Sequence, residues 1–68
     1  MVEAETELEM VERHVREGER HVANQREILA FLRRHNHPTE LAETLLANLE
    51  AMQSLHRKHL ARLQKAGE

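Results

Sequence analysis

The sequence predicts an all-α protein: an antiparallel two-helix hairpin with a coiled-coil-like seam, two copies of which pair into a four-helix bundle. Three observations carry that prediction. Glu, Ala, Leu, Arg and Gln, all strong helix formers, dominate the composition, while Gly occurs twice and Pro once in 68 residues. The single turn signal is RHNHPTE, residues 34–40. On either side of it, apolar residues recur at alternating steps of four and three, the spacing of a helical seam.

The first helix is expected over about residues 3–35. Glu3, Glu5, Glu7, Glu9 and Glu12 crowd its start, and Arg26, Arg33 and Arg34 lie toward its end, so its charges complement the helix dipole. Asn36 suits the left-handed position that closes a helix. The turn is placed at residues 36–37. Pro38 then fits the first position of a second helix over about residues 38–65, with Glu40 reaching back to cap the backbone at His37. Glu40 and Glu43 open this helix, and Arg57, Lys58, Arg62 and Lys65 close it. Folding back at the turn lays each acidic helix start beside a basic helix end. One domain, residues 1–68, accounts for the whole chain.

The predicted seam of the first helix is Ala4, Leu8, Val11, Val15, Gly18, Val22, Gln25, Leu29 and Leu32. The second helix continues it as Ala42, Leu45, Leu49, Met52, His56, His59, Leu63 and Ala66. Facing residues in an antiparallel pair have numbers that sum to a constant, and these two seams give 74. Leu29 then faces Leu45, Val22 faces Met52, and Gly18 makes room for the ring of His56. Ile28, Phe31, Leu41, Leu46, Leu55 and Leu60 fall outside that seam and form the expected interface. The economical cover for them is a second hairpin, giving a homodimer. A larger protein that receives the hairpin as a helical docking piece is the alternative.

His14, His21, His56 and His59 gather in one zone by the same alignment, away from His35 and His37 at the turn. Neutral imidazoles from adjacent helices are good ligands for Zn²⁺, Cu²⁺ or Ni²⁺, and histidine also serves haem. A bundle histidine equally acts as a polar residue that fixes register and oligomer state, or as a pH-responsive group. No Glu-x-x-His occurs, which argues against a ferritin-like di-iron site.

Other classes are disfavoured. There is no Cys, so neither disulfides nor thiolate metal sites are available. Twelve acids, all Glu, stand against ten Lys and Arg for a net charge of −2, a balance unlike that of a dedicated nucleic-acid or membrane-surface binder. One Phe and no Trp or Tyr leave no base-stacking platform, so an RNA-binding dimeric hairpin is a distant reading. Ser54 and the Thr residues lack a base-and-oxyanion constellation, and there is no Gly-rich phosphate loop, so an enzyme is not expected. No apolar run is long enough for a membrane span and the start is acidic, unlike a signal peptide, which points to the cytoplasm.

The chain carries Gly-Glu-Arg-His at Gly18–His21, Gln-Arg-Glu at Gln25–Glu27, and Thr39, Leu45 and Leu46 around and after the turn. On these residues the stretch 14–63 resembles a group of short bacterial helical-hairpin proteins with no assigned activity. The resemblance implies a stand-alone bacterial helical hairpin and supplies no activity.

Overall fold

The computed structural model describes residues 4–67, which form two helices joined by one turn. Helix α1 spans Glu7–Arg34 and α2 spans Glu40–Ala66, and the two pack against each other along their length. Among the described residues there is no strand. Glu3, counted in the acidic start, lies outside the described residues.

Helix α1 begins at Glu7 rather than residue 3 because Thr6 caps it. The Glu9 backbone N–H donates to Thr6 Oγ1 at 3.1 Å, and the Thr6 N–H donates to Glu9 Oε1 at 3.3 Å. This reciprocal box satisfies donors that the first turn leaves open. Arg13 then reaches back to both carboxylate oxygens of Glu5, at 2.9 and 3.0 Å, and forward to Glu17 at 3.1 Å.

At the other end, Asn36 adopts φ 56°, the left-handed conformation expected of it. The His37 N–H donates to Leu32 O at 2.9 Å and the Asn36 N–H to Arg33 O at 3.3 Å, the double bond of a Schellman stop. The rings of Phe31 and His35 sit 4.3 Å apart over this turn, with His37 6.5 Å from Phe31. Helix α2 starts at Glu40, two residues later than expected. Thr39 occupies the cap position without a side-chain cap bond, so the predicted His37–Glu40 capping pair is replaced.

The buried apolar core is small: Val11, Val15, Val22, Leu29 and Ala42, joined by Gln25 and Gln53. On α1 this is the predicted seam, except that Ala4 and Leu8 at its open end are exposed. On α2 the seam differs. Leu45 and Met52 are 48% and 54% exposed, whereas Leu46, Leu49, His56, Leu60 and Leu63 are part-buried and Gln53 is buried. The inward stripe of α2 is therefore Ala42, Leu46, Leu49, Gln53, His56, Leu60 and Leu63.

That stripe moves the register by three residues. Gly18 abuts Gln53, not His56, so facing numbers sum to 71 instead of 74. The physical reason is a pair of side-chain clamps. Gln53 Nε2 donates to Val15 O at 2.8 Å, and Gln25 Nε2 donates to Ala42 O at 3.1 Å. Each helix thus sends one carboxamide to the backbone of the other, satisfying a buried donor that would cost about 1–3 kcal/mol if left unpaired. The shifted register also brings Leu60 inward, where the earlier alignment had His59.

The charge blocks pair as the antiparallel fold requires. Arg26 meets Glu50 at 3.0 Å, Arg33 meets Glu43 at 3.1 Å, and Arg57 meets Glu19 at 3.4 Å. These pairs are exposed and worth only tenths of a kcal/mol each.

Candidate functional site

The two long sides of the hairpin are chemically unlike. One side carries the interhelical ion pairs Arg26–Glu50 and Arg57–Glu19, which line a wide shallow cleft of about 640 Å³ with Ser54 and Lys58. Its cations and carboxylates largely neutralise one another, as on a solvated face. The other side is apolar. At 100° per residue, Leu41, Leu45, Met52 and Leu55 fall on one stripe of α2, beside the inward stripe and away from the ion pairs. Ile28 projects from α1 on the same side, with Phe31 one turn further out. All of these are exposed, from 48% at Phe31 to 87% at Leu41.

Of the expected interface residues, Ile28, Phe31, Leu41 and Leu55 are open to solvent. Leu46 and Leu60 are part-buried on the inward stripe, and Leu45 and Met52 take their places outside. The exchange follows directly from the register shift. Gln53 carried the missed signal: it stands seven residues from both Leu46 and Leu60, marking the inward stripe with a polar residue as Gln25 marks that of α1.

Set into the apolar side is a groove of about 170 Å³, lined by His14, Glu17, Gly18, His21, Leu49, Met52, Gln53 and His56. The rings of His14 and His56 lie 5.3 Å apart and tilted by 36°. Gln53 Oε1 and His56 Nδ1 are sealed from solvent without a hydrogen-bond partner. His59 leaves the group: its Nε2 sits 3.0 Å from Glu7 Oε1, tying the end of α2 to the start of α1. Three of the four predicted histidines therefore share one groove. None is fully buried, because the groove opens on the side that a lone hairpin leaves uncovered. Among the described residues, no three His, Asp or Glu side chains converge as a metal cage.

No family model matches the chain, and no curated protein or solved structure matches it either. Among the described residues, no helix is long and apolar enough to cross a membrane.

Proposed function

We propose that this protein is a small, non-enzymatic interaction module that pairs with a second copy through the apolar side of the hairpin, forming a four-helix bundle. One observation carries the reading: apart from Leu8, the exposed large apolar residues of both helices fall on the side that holds the histidine groove, while the interhelical ion pairs lie on the opposite side.

Surface area supports it. A compact folded monomer of 8.0 kDa exposes about 4,500 Å² by the usual area–mass scaling. This hairpin exposes 5628 Å². The surplus, roughly 1,100 Å² per chain, is comparable to the ~800 Å² that each partner buries in a standard interface. Shape agrees: the radius of gyration is 15.7 Å, where a compact chain of this length has about 11 Å. Five small buried apolar residues are a thin core for 68 residues, and a second hairpin on the apolar side would thicken it.

Sedimentation equilibrium over a dilution series is the test. A dimer mass that persists to micromolar concentration, with helicity falling as dimers dissociate, is expected. A fully helical monomer at that concentration would remove the homodimer and leave docking onto a different protein as the working function.

A further inference from the structure

We infer that His14 and His56 form half of a zinc site, completed by the same two histidines of a second copy. The inference rests on the self-association proposed above and deepens it by naming a ligand and the side chains that hold it.

Ring geometry is the first argument. An imidazole nitrogen binds Zn²⁺ at about 2.0–2.1 Å, which sets the ring centroid about 3.2 Å from the metal. Two such ligands at a tetrahedral angle have centroids about 5.2 Å apart, against about 4.5 Å at a right angle. The His14 and His56 centroids are 5.3 Å apart. Two rings from different helices already have the spacing that tetrahedral zinc imposes.

Neither ring is engaged elsewhere. Among the described residues, no hydrogen bond engages His14 or His56, and His56 Nδ1 is enclosed without any partner. The enclosed Nδ1 cannot reach an ion held between two copies, which leaves Nε2 as the nitrogen of His56 for the metal. The nearby carboxylates are committed elsewhere: Glu17 to Arg13 at 3.1 Å and Glu7 to His59 at 3.0 Å. His21 lies one heptad from His14, about 10 Å along the helix, too far to join the same ion. One copy thus offers two nitrogen donors and zinc takes four.

Position supplies the rest. The groove spans His14–His21 on α1 and Leu49–His56 on α2, close to the middle of Glu7–Arg34 and of Glu40–Ala66. A two-fold axis running along the helices sets this groove against its own copy at the same height. That closure brings two His14–His56 pairs to one place, in a setting walled by Leu49 and Met52.

The test uses the full chain stripped of metal with a chelator, titrated with Zn²⁺ by calorimetry and with Co²⁺ by absorption. We expect one ion per two chains, the intense visible bands of tetrahedral cobalt, and imidazole NMR shifts confined to His14 and His56. His14→Gln and His56→Gln should each abolish uptake, and His35→Gln at the turn should leave it intact. Circular dichroism identifies a variant that has merely unfolded, and the imidazole shifts of the unaltered protein still decide the matter. One zinc per single chain, or shifts at His21, His35, His37 or His59 instead, would overturn the shared site. A dimer in chelator that takes up no zinc sinks the metal inference and spares the association. A monomer that takes up none sinks both.

Discussion

Gln53 fills the space that Gly18 leaves. A Cβ built on Gly18 would stand 2.7 Å from Gln53 Cδ and closer still to Oε1, while the same carboxamide donates to Val15 O at 2.8 Å. Glycine inside a helix costs about 1 kcal/mol relative to alanine. Here it admits a side chain that clamps the two helices, so two unfavourable residues, a mid-helix glycine and a buried glutamine, make one favourable contact.

The sign of Gly18→Ala should therefore depend on residue 53. In the natural chain the new methyl displaces the Gln53 carboxamide from its bond, and we expect a net loss of about 1 kcal/mol despite the better helix propensity. In a Gln53→Ala background the clash is gone, and the same substitution should stabilise by up to about 1 kcal/mol. Denaturant melts of the four proteins give the coupling directly. Additive effects would mean that the two residues do not meet.

Much of this architecture is legible in the sequence and part of it is not, for identifiable reasons. The turn was readable because Asn36 tolerates the left-handed conformation that most residues avoid, and Pro38 has its φ fixed. The antiparallel sense was readable because the charge blocks agree with only one pairing, and Arg26–Glu50, Arg33–Glu43 and Arg57–Glu19 bear that out. The α2 seam was not. Leu45, Leu46, Leu49, Leu60 and Leu63 divide between two overlapping seven-residue patterns, and the one with Met52 in place of Gln53 reads as the more apolar. The reach of a glutamine to a backbone carbonyl on the facing helix has no signature in apolar periodicity. The histidine groove followed suit: His14, His21 and His56 share it, and His59 rotates away to Glu7.

Gln25 tests whether polar clamps select this register at the expense of stability. It is 7% exposed, and among the described residues its one cross-helix bond goes to a carbonyl that also accepts within α2. Gln25→Leu orphans no buried partner and adds apolar burial, so melts should show equal stability or a gain of up to about 1 kcal/mol. Gln25→Leu combined with Gln53→Leu removes both clamps. Amide NMR spectra of that double variant should show more than one set of resonances, as the two seven-residue patterns compete. A single sharp set would show that shape alone fixes the pairing.

The turn offers a simpler check. Asn36 holds φ 56°, where a Cβ is a liability and glycine is at ease. Asn36→Gly should be neutral or stabilising by a few tenths of a kcal/mol, and Asn36→Val should cost about 1–2 kcal/mol, since a branched side chain is poorly accommodated there. Thermal melts rank the three. Equal stability of the valine variant would imply that the Schellman stop reforms elsewhere.

Acid should loosen the start of α1. The Arg13 guanidinium bonded to Glu5 holds that carboxyl below its ordinary 4.5, and the pairing raises Arg13 in turn. A lowered folded-state value contributes stability that is present above 4.5 and is lost as pH falls through the folded value. Because the pair is exposed the effect is local. Following the Glu5 side-chain carbon by NMR, we expect a midpoint below 4.5 in the natural chain, returning toward 4.5 in Arg13→Gln. An unchanged midpoint would mean that the bidentate pair does not persist in solution.

Leu46 and Met52 separate the inside of the hairpin from its outside. In the register described here Leu46 faces α1, and Met52, 54% exposed, lies on the apolar side beside the groove. Leu46→Ala should therefore lower the stability of the hairpin itself, by about 2 kcal/mol for a part-buried leucine. Met52→Glu should leave the packing of α1 on α2 intact and weaken pairing between copies at least tenfold, or about 1.4 kcal/mol. Arg26→Glu, on the opposite side, should leave pairing unchanged. Melts at fixed concentration combined with sedimentation of each variant distinguish the two effects. The reverse pattern, with Met52→Glu unfolding the hairpin and Leu46→Ala only loosening the dimer, would restore the alignment in which Met52 faces Val22 and would take the apolar interface down with it.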